Sequence, residues 1–492
     1  MSRQKYNNLM EWRIILLYFE DFANSPNKTS PTRRVKIRQL AEQKYANSPS
    51  EQKKLYLCSV KIKDMDNYRP RIVDALLKRK LTGKGAVLIK GPKWCGKTTS
   101  AEQIAKSVLY MADTKTRDQN IRLANVDPHL ILDGPTPRLI DEWQVAPVLW
   151  DAVRFEVDHR KGHGHFILTG SVVVKDDEDG KSQIQHSGAG RIGRIVMRPM
   201  SLWESGDSNG MVSLAELFQT PERIAGKCDL NLQDIAYLTC RGGWPDTIDM
   251  EKEVALDQAF DYVDVVAETD ISAADNIQKN PEQVRRLLRS YARHQGTQAA
   301  LTTLRDDLKA NESTTFSEDS VGIYLKALNK IFVVEDMPAW NPNLRSKTAI
   351  RTSDNRYFVD PSIATAALGL GPNDLINDLE TFGLIFETLC VRDLRVFADA
   401  LDGKVYHYRD KDKLECDAVV HVRNGSYGLV EIKLGGDQLI NEGAASLLKL
   451  SKKIDTTKMK SPAFMMVLTA VGQYAFRRDD GVYVVPVGCL RD

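Results

Sequence analysis

A nine-residue segment has the residue types and the spacing of a phosphate-binding loop. It matches the pattern G-x-x-x-x-G-K-[ST], and its residues are Gly91, Pro92, Lys93, Trp94, Cys95, Gly96, Lys97, Thr98 and Thr99. Glycines let backbone N–H groups close around phosphate oxygens, and a helix beginning here would direct its positive end at them. Lys97 would reach the β- and γ-phosphates, and the Thr98 hydroxyl would bind Mg²⁺. The segment therefore predicts a site for ATP with Mg²⁺.

Two adjacent carboxylates follow an apolar run downstream of this loop. Arg138-Leu139-Ile140 leads directly into Asp141 and Glu142. An acidic residue at a strand end is the Walker-B arrangement, in which Asp141 holds Mg²⁺ through its water shell. Glu142 would then polarise the attacking water. Alone, the pair would indicate a solvated strand end, but the upstream loop favours a role in catalysis.

Three further polar residues could act on the γ-phosphate. Ser171 ends the segment Leu-Thr-Gly-Ser and could sense that phosphate or belong to a simple turn. Arg191 or Arg194, in Gly-Arg-Ile-Gly-Arg, could serve as an arginine finger on a neighbouring subunit. A surface salt bridge is the alternative role for these arginines. A role in trans would require a homo-oligomer.

A second chemical constellation lies near the C-terminus. Asp417 precedes Glu431 by fourteen residues, and Lys433 follows in the pattern D-x(n)-E-x-K. Glu431 and Lys433 would share one face of a strand, and Asp417 could face them across a hairpin. The two carboxylates could hold a divalent metal that activates water, with Lys433 positioning it or stabilising developing charge. Glu387, on the preceding helix, could complete the acidic cluster.

The alternative for this constellation is an ordinary strand end, where Asp, Glu and Lys are common. The order helix, three strands, helix is that of the PD-(D/E)XK nuclease core, although Cys416 replaces the Pro of that pattern. This order favours a nuclease-like fold but leaves activity open, because a fold alone does not establish it. His159, His163 and His165 could bind a metal, but without a fourth ligand they indicate a solvated loop.

Hydrophobic periodicity predicts the elements that position the phosphate-binding loop. We expect a helix at 71–80 and a helix that begins at Thr98. The predicted strands are 86–89, 139–140 and 166–168. Because strands and helices alternate, the segment predicts a parallel α/β sheet. The acidic residues 176–180 predict a surface loop.

The later part of the chain shows two further patterns. Helices are predicted around 287–292 and 321–331, and the second runs into a strand at 332–334. The order helix, helix, helix, strand is that of a winged helix, and a helical lid or adaptor is the alternative. The C-terminal part predicts a helix through 386–397, strands at 405–408, 417–422 and 427–433, a helix at 439–452 and strands at 464–468 and 483–487.

Composition excludes several classes of protein. The chain has 492 residues and a net charge of +2, with 42% hydrophobic and 27% charged residues, which is ordinary for a globular protein. Residues 1–66 carry 13 Lys and Arg against 7 Asp and Glu, so the remainder is slightly acidic. We expect any DNA binding to be local, conditional or carried by this N-terminal arm, although a solvated extension is the simpler interpretation.

Cysteine usage and hydropathy predict a cytoplasmic protein. The seven cysteines are scattered and form no C-x-x-C pair, which argues for a reducing compartment and against a zinc ribbon. No apolar run approaches the length of about 20 residues that a membrane span requires.

Several segments together resemble a large prokaryotic family of AAA-type ATP-binding proteins with a C-terminal domain of unknown function. The segments are the phosphate-binding loop and residues 139–144, 168–171, 190–204 and 241–245. The resemblance covers residues 67–440 and leaves residues 1–60 outside. It implies an ATPase core, a winged-helix-like middle region and a C-terminal domain similar to restriction endonucleases.

These expectations combine into an ATP-driven, DNA-associated protein. Its expected parts are a basic N-terminal extension at 1–66, a P-loop ATPase domain at 67–205, a helical linker or lid at 206–280, a winged-helix-like region at 281–374 and a nuclease-like domain at 375–492. One alternative is a nucleotide-controlled switch or scaffold that binds a partner protein and carries an inert nuclease-like domain. A transcription regulator that uses the winged helix is another.

Overall fold

The computed structural model describes residues 68–171, 184, 186–221, 224–275, 277–309, 317–342 and 353–492. The chain divides into two compact units, Met1–Tyr68 and Arg69–Asp492, and only Tyr68 of the first unit is described. The predicted N-terminal extension at 1–66 and the predicted acidic loop at 176–180 lie outside the described residues.

A five-stranded parallel sheet forms the first layer of the second unit. Its strands are β1 (Ala86–Lys90), β2 (Ser107–Tyr110), β3 (Arg138–Asp141), β4 (Phe166–Gly170) and β5 (Ile192–Val196). The order across the sheet is β2-β3-β4-β1-β5, so β4 lies between the strand before the phosphate-binding loop and the strand that ends in Asp141. Because both faces are covered, β1 and β4 are apolar along most of their length. The predicted parallel α/β sheet is confirmed.

Helices cover this sheet and follow it along the chain. Those of the sheet layer are α1 (Ile72–Gly83), α2 (Lys97–Glu102), α3 (Arg117–Val126), α4 (Pro128–Leu132) and α5 (Val148–His159). A connecting region then contains α6 (Leu202–Ser205), β6 (Val212–Ser213), α7 (Leu214–Gln219) and β7 (Gly226–Lys227). The short strands β6 and β7 pair with β14 and β12 near the C-terminus, so this region joins distant parts of the chain.

The middle region is helical. Its helices are α8 (Leu232–Arg241), α9 (Lys252–Val265), α10 (Ile271–Ala273), α11 (Pro281–Arg293), α12 (Leu301–Lys309), α13 (Glu318–Lys330), α14 (Pro361–Leu368) and α15 (Pro372–Asn377). A π-helical turn at Val266–Asp270 joins α9 to α10. Such turns widen a helix locally and are frequent at functional sites.

The prediction of a strand at residues 332–334 is wrong. Phe332 adopts a left-handed backbone with φ of +61°, which ends the preceding helix and interrupts an extended run. Val334 forms one isolated antiparallel bridge with Phe358, and Met337 forms another with Asn355. The helices expected from a winged helix are present, but the predicted strand is not formed.

The C-terminal part contains a long helix and six strands of a seven-stranded sheet. The elements are α16 (Leu379–Ala400), β8 (Gly403–Arg409), β9 (Glu415–Val422), β10 (Tyr427–Lys433), α17 (Asp437–Lys453), β11 (Phe464–Thr469), β12 (Tyr474–Arg477), β13 (Tyr483–Pro486) and β14 (Leu490–Arg491). The order across the seven-stranded sheet is β7-β12-β13-β11-β10-β9-β8. Strands β8, β9 and β10 form an antiparallel meander, and β11 pairs with β10 in parallel after the crossover through α17. The predicted order of helix, three strands, helix and strand is confirmed.

One close backbone contact joins the connecting region to the rest of the fold. A Cβ at Gly243 would lie 2.1 Å from the carbonyl oxygen of Met200. The Met200 amide also donates to the Gly243 carbonyl at 2.6 Å. Two backbone segments therefore touch where only glycine fits.

We predict opposite effects for two glycine-to-alanine substitutions. Gly243→Ala should lower the free energy of unfolding by about 1–3 kcal/mol or more, because its Cβ would collide with backbone. Gly383→Ala, inside α16 with no atom within 4 Å of the added Cβ, should raise it by about 0.5–1 kcal/mol. Urea denaturation of both variants measures the difference, and equal effects would contradict the contact at Gly243.

Candidate functional site

The phosphate-binding loop connects β1 to α2, and its glycines are sterically required. A Cβ at Gly91 would lie 2.0 Å from the Met197 carbonyl oxygen, so no larger residue fits there. Gly96 has φ of +91° and is the residue before α2, and Trp94 also has a left-handed backbone with φ of +67°. The loop thus turns tightly between strand and helix, as the sequence pattern requires.

The two chemical side chains of the loop face its interior. Lys97 is buried, and its Nζ donates to the carbonyl oxygen of Pro92 at 2.7 Å, across the loop. The Thr98 hydroxyl donates to Asp141 Oδ1 at 2.6 Å. Thr169 Oγ1 donates to the same carboxylate oxygen at 2.7 Å. The loop and the end of β3 therefore meet at Asp141, as the Walker-B prediction expects.

This convergence fits a magnesium–nucleotide complex. The hydroxyl of Thr98 and the carboxylate of Asp141 are oxygen ligands, which Mg²⁺ prefers, and they are already within hydrogen-bond distance. Gly91 lets the loop pack closely against the Met197 backbone. Lys97 would supply a cation to the phosphate oxygens in place of its contact with Pro92.

Glu142 is held beside this site in an unusual backbone conformation. Its φ of +52° and ψ of +47° lie in the left-handed region, which costs a residue with a side chain about 1–2 kcal/mol. Gln144 Nε2 donates to its carboxylate, and Ser171 Oγ donates to Glu142 Oε2 at 3.4 Å. Strain of this kind is concentrated at functional sites. Ser171 therefore contacts the candidate catalytic carboxylate itself.

Other residues of the loop contact the helical middle region. Lys93 Nζ forms an ion pair with Asp270 Oδ1 at 2.7 Å, and Asp270 is the last residue of the π-helical turn. The Trp94 ring lies 6.3 Å from that of Tyr262. The phosphate-binding loop is therefore in contact with the helical middle region.

The remaining loop residues support its shape. Pro92 and Cys95 are buried, whereas Thr99 is exposed on the first turn of α2. The buried guanidinium of Arg71 donates to the Cys95 carbonyl at 2.9 Å and pairs with Glu204 at 3.1 Å. Arg71 therefore holds the backbone of the phosphate-binding loop in place.

Arg191 and Arg194 lie away from the loop of the same chain. Arg191 immediately precedes β5, next to the start of β1, whereas the loop follows the end of β1. Arg191 is exposed and pairs with Asp158 at 2.8 Å. Arg194 is exposed on the edge strand β5. The arginine-finger role therefore needs a second copy of the chain and stays a prediction.

In the C-terminal sheet, Asp417, Glu431 and Lys433 come together as the hairpin prediction expects. Lys433 Nζ lies 2.8 Å from Glu431 Oε2 and 3.2 Å from Asp417 Oδ2. The Ile432 amide donates to Asp417 Oδ2 at 2.7 Å, and Ser446 Oγ donates to Glu431 Oε1 at 3.3 Å. One cationic atom thus contacts both carboxylates, which shows that a single cation can bridge them.

Burial and mutual repulsion dominate the electrostatics of this group. Burial first, and then the charge of Asp417, raise the pKa of Glu431 and of Glu387 to about 8 each. Burial opposes the charge of Lys433, yet Asp417 and Glu431 hold its pKa above the ordinary value. The carboxylates therefore favour a neighbouring cation.

Glu387 lies close enough to Asp417 for that carboxylate to raise the pKa of Glu387, but its side-chain hydrogen bond is made to another residue. Glu387 accepts a hydrogen bond from the Tyr357 hydroxyl, in the middle region. Among the described residues no group of three or more His, Cys, Asp or Glu side chains is placed to hold a metal ion. The structure therefore leaves the predicted acidic cluster with two converging carboxylates. His159 ends α5, and His163 and His165 lie between α5 and β4.

Three residues of the site were not identified from the sequence. Arg71, Asp270 and the Thr169 contact to Asp141 all depend on packing between segments far apart in the chain. Of the three, only Thr169 could have been found from the sequence, because it lies in the polar segment that follows the strand at Phe166–Leu168. Ser171, which follows in that segment, was selected instead.

Three families match separate parts of the chain. Residues 83–205 match the AAA domain family, residues 232–374 match a domain of unknown function (DUF8612), and residues 382–490 match another domain of unknown function (DUF4143). The first match, together with the parallel sheet and the loop geometry, identifies residues 83–205 as an AAA-type P-loop domain. An ATP-binding ATPase is therefore supported, as the sequence predicted. The other two matches name no activity.

The relatives that match most of the chain have names that state no function. The uncharacterized proteins Mb2031c of Mycobacterium bovis and Rv2008c of Mycobacterium tuberculosis are each 23% identical over 415 residues, covering 84% of this chain and 82% of theirs. Among solved structures, a Walker-type ATPase of Pyrococcus abyssi aligns with 61% of this chain and 96% of its own. Its identity of 12% and TM-score of 0.35 make it too distant to carry an argument. In the described part of the chain, no helix is both long and apolar enough to cross a membrane.

We predict that Lys97→Ala weakens ATP binding by at least about tenfold, because a buried charge-assisted contact to phosphate is lost. Titration with a fluorescent ATP analogue measures this affinity. The control is Lys106→Ala, an exposed lysine in the same domain without an ion pair among the described residues, and it should bind as the wild type does. Unchanged affinity in Lys97→Ala would exclude the assigned loop.

Proposed function

We propose that the protein is a Mg²⁺-dependent ATPase whose ATPase domain acts together with a DNA-associated, nuclease-like C-terminal domain. The observation that carries the ATPase part is the convergence of Thr98 and Thr169 on Asp141, beside the strained Glu142. These contacts support the proposal because they bring the phosphate-binding loop, Asp141 and Glu142 together at the carboxyl ends of β1 and β3.

Each residue of this site has a distinct role in hydrolysis. Lys97 and the loop amides bind the β- and γ-phosphates, and Thr98 and Asp141 hold Mg²⁺. A Mg²⁺ ion held by Thr98 and Asp141 would supply positive charge to the phosphates. Glu142 accepts a hydrogen bond from the attacking water and orients it. Ser171 donates to Glu142 and so fixes the carboxylate that orients the water.

We predict that Glu142→Gln separates hydrolysis from binding. Phosphate release should fall by at least about 100-fold, because the amide cannot polarise water, while affinity for the fluorescent ATP analogue stays within about twofold. Glu102→Gln makes the same chemical change at a half-buried carboxylate on α2, which accepts a hydrogen bond from the Tyr110 hydroxyl, and it should leave both quantities unchanged. Equal loss of affinity and turnover in Glu142→Gln would show that Glu142 is needed for binding rather than chemistry.

The nuclease-like part of the proposal is supported by the arrangement of the C-terminal elements. Helix α16, the meander β8–β10, helix α17 and the parallel strand β11 follow the order expected of a PD-(D/E)XK core. Asp417 and Glu431 converge on Lys433. They would hold the metal, which would activate water for attack on a phosphodiester, and Lys433 would stabilise the developing negative charge. The helices of the middle region would bind DNA or transmit the nucleotide state.

A second candidate function has an observation in its favour. Lys433 pairs with both carboxylates, and Glu387 is engaged by Tyr357 rather than by the cluster. An inert nuclease-like domain on a nucleotide-controlled switch or scaffold would retain such a self-neutralised site. Activity therefore decides between the two functions.

The deciding experiment is a cleavage assay on linear and supercoiled DNA with Mg²⁺ or Mn²⁺, with and without ATP. We predict cleavage by the wild type and its loss in Lys433→Ala, because the cation that faces both carboxylates is removed. Lys452→Ala, an exposed lysine on α17, is the matched control and should cleave normally. Intact ATP hydrolysis without any cleavage would favour the switch.

A further inference from the structure

A cleft separates the edge strands of the two large sheets. Its volume is about 660 Å³, within the range of ligand-binding clefts. Helix α1 and the edge strand β5 line one side, and the end of α16, the edge strand β8 and the end of β9 line the other. Residues 335–338 also contribute. We refer to it as the inter-sheet cleft.

The carboxylates that line the inter-sheet cleft already have guanidinium partners. The pairs are Asp402 with Arg79, Asp336 with Arg356, and both Glu335 and Asp399 with Arg198. Two of these contacts are bidentate, since both Arg79 and Arg198 reach two oxygens of one carboxylate. Paired groups of this kind contribute little net field to a ligand.

Four other cations in the cleft have no such partner. Lys80, Arg194, Lys404 and Arg423 line it, and within the described ranges none of them forms an ion pair. The Arg194 guanidinium donates to the Ser187 carbonyl and lies over the Trp150 ring, so it is engaged outside the cleft. Lys404 and Arg423 are exposed. The cleft therefore carries an excess of positive charge, although the chain from residue 67 onward is slightly acidic.

Aromatic side chains also line the inter-sheet cleft. Tyr406 and His421 are half-buried, with ring centroids 6.4 Å apart. Burial lowers the pKa of His421, and its Nδ1 accepts a hydrogen bond from Trp340 Nε1 at 3.4 Å. The neutral form of the ring fits this acceptor role and has a face for stacking.

We propose that the inter-sheet cleft binds single-stranded DNA, with phosphates on Lys80, Lys404 and Arg423 and a base stacked on Tyr406 or His421. A positive groove with interleaved aromatic rings is the arrangement by which proteins hold single strands, whose bases are free to stack. Duplex DNA keeps its bases paired and would use only the cations. This inference rests on the DNA association proposed above and identifies where and in which form the DNA binds.

The cleft is distinct from the carboxylate site on the same sheet. His421 follows Asp417 by four residues on β9, which corresponds to about 13 Å along the strand. Reversing the charge of Lys404 and Arg423 therefore leaves Asp417, Glu431 and Lys433 intact. Binding and cleavage can be tested separately.

The test is fluorescence anisotropy of the full chain with a fluorescein-labelled oligo(dT), in EDTA so that no cleavage occurs. We expect Lys404→Glu with Arg423→Glu to weaken binding at least about tenfold and to make the slope of log affinity against log salt shallower by about 1.4, for two lost phosphate contacts. The control, Lys326→Glu with Arg122→Glu, makes the same charge changes at exposed positions elsewhere and should match the wild type.

The contrary outcomes are distinct. Equal binding by the cleft variant and the wild type, or equal weakening in the control, would overturn the cleft as the site. Duplex DNA competing as well as oligo(dT) would overturn the single-strand assignment. If the wild type binds neither form, the proposed DNA association fails as well. Lys404→Gln with Arg423→Gln gives a milder version of the cleft variant, should charge reversal prevent folding, and it should also weaken binding and reduce the slope.

Discussion

The buried guanidinium of Arg392 is the contact on which the arrangement of the described chain depends. It lies on α16 and pairs with Asp360 at 3.0 Å and Asp393 at 2.7 Å, and all three side chains are buried. Asp360 also accepts from the Gly243 amide, and Asp393 accepts from the Leu202 amide. One cation thus satisfies two carboxylates that fix the connecting region and the middle region. Removing one member of such a buried group costs about 3–5 kcal/mol, because the remaining charges stay desolvated.

A continuous set of contacts connects the buried group around Arg392 to the phosphate-binding loop. Leu202 begins the short helix α6, whose Glu204 pairs with Arg71, and Arg71 donates to the Cys95 carbonyl within the loop. Glu387 lies on α16 five residues before Arg392. The orientation of the loop and that of the helix beside the C-terminal carboxylates are therefore set by the same buried polar groups. Packed side chains and buried ion-pair networks of this kind can carry energetic coupling between distant sites.

Local sequence patterns predicted the elements well, and they predicted those parts of the sites that lie on adjacent strands or within one loop. Asp417 and Glu431 could be placed together because β9 and β10 are consecutive, antiparallel and joined by a short turn. The prediction of a strand at residues 332–334 failed because an apolar run alone does not reveal the left-handed backbone at Phe332. The pairing of Lys93 with Asp270 had no local signal, since it joins residues 177 positions apart. Contacts of that range depend on how the layers pack, which periodicity does not encode.

Protection of the sheet edges is a second physical explanation for the charges in the inter-sheet cleft. Edge strands expose unpaired backbone groups, and charged side chains such as Arg194 on β5 and Lys404 on β8 discourage pairing with other chains. That requirement would be met by either sign of charge and needs no convergence of cations from different elements. It also gives no reason for Tyr406 and His421 to line the same cleft. Because the cleft pairs its carboxylates internally and leaves its extra cations free, protection of the edges accounts for the presence of charge but not for its sign or its arrangement.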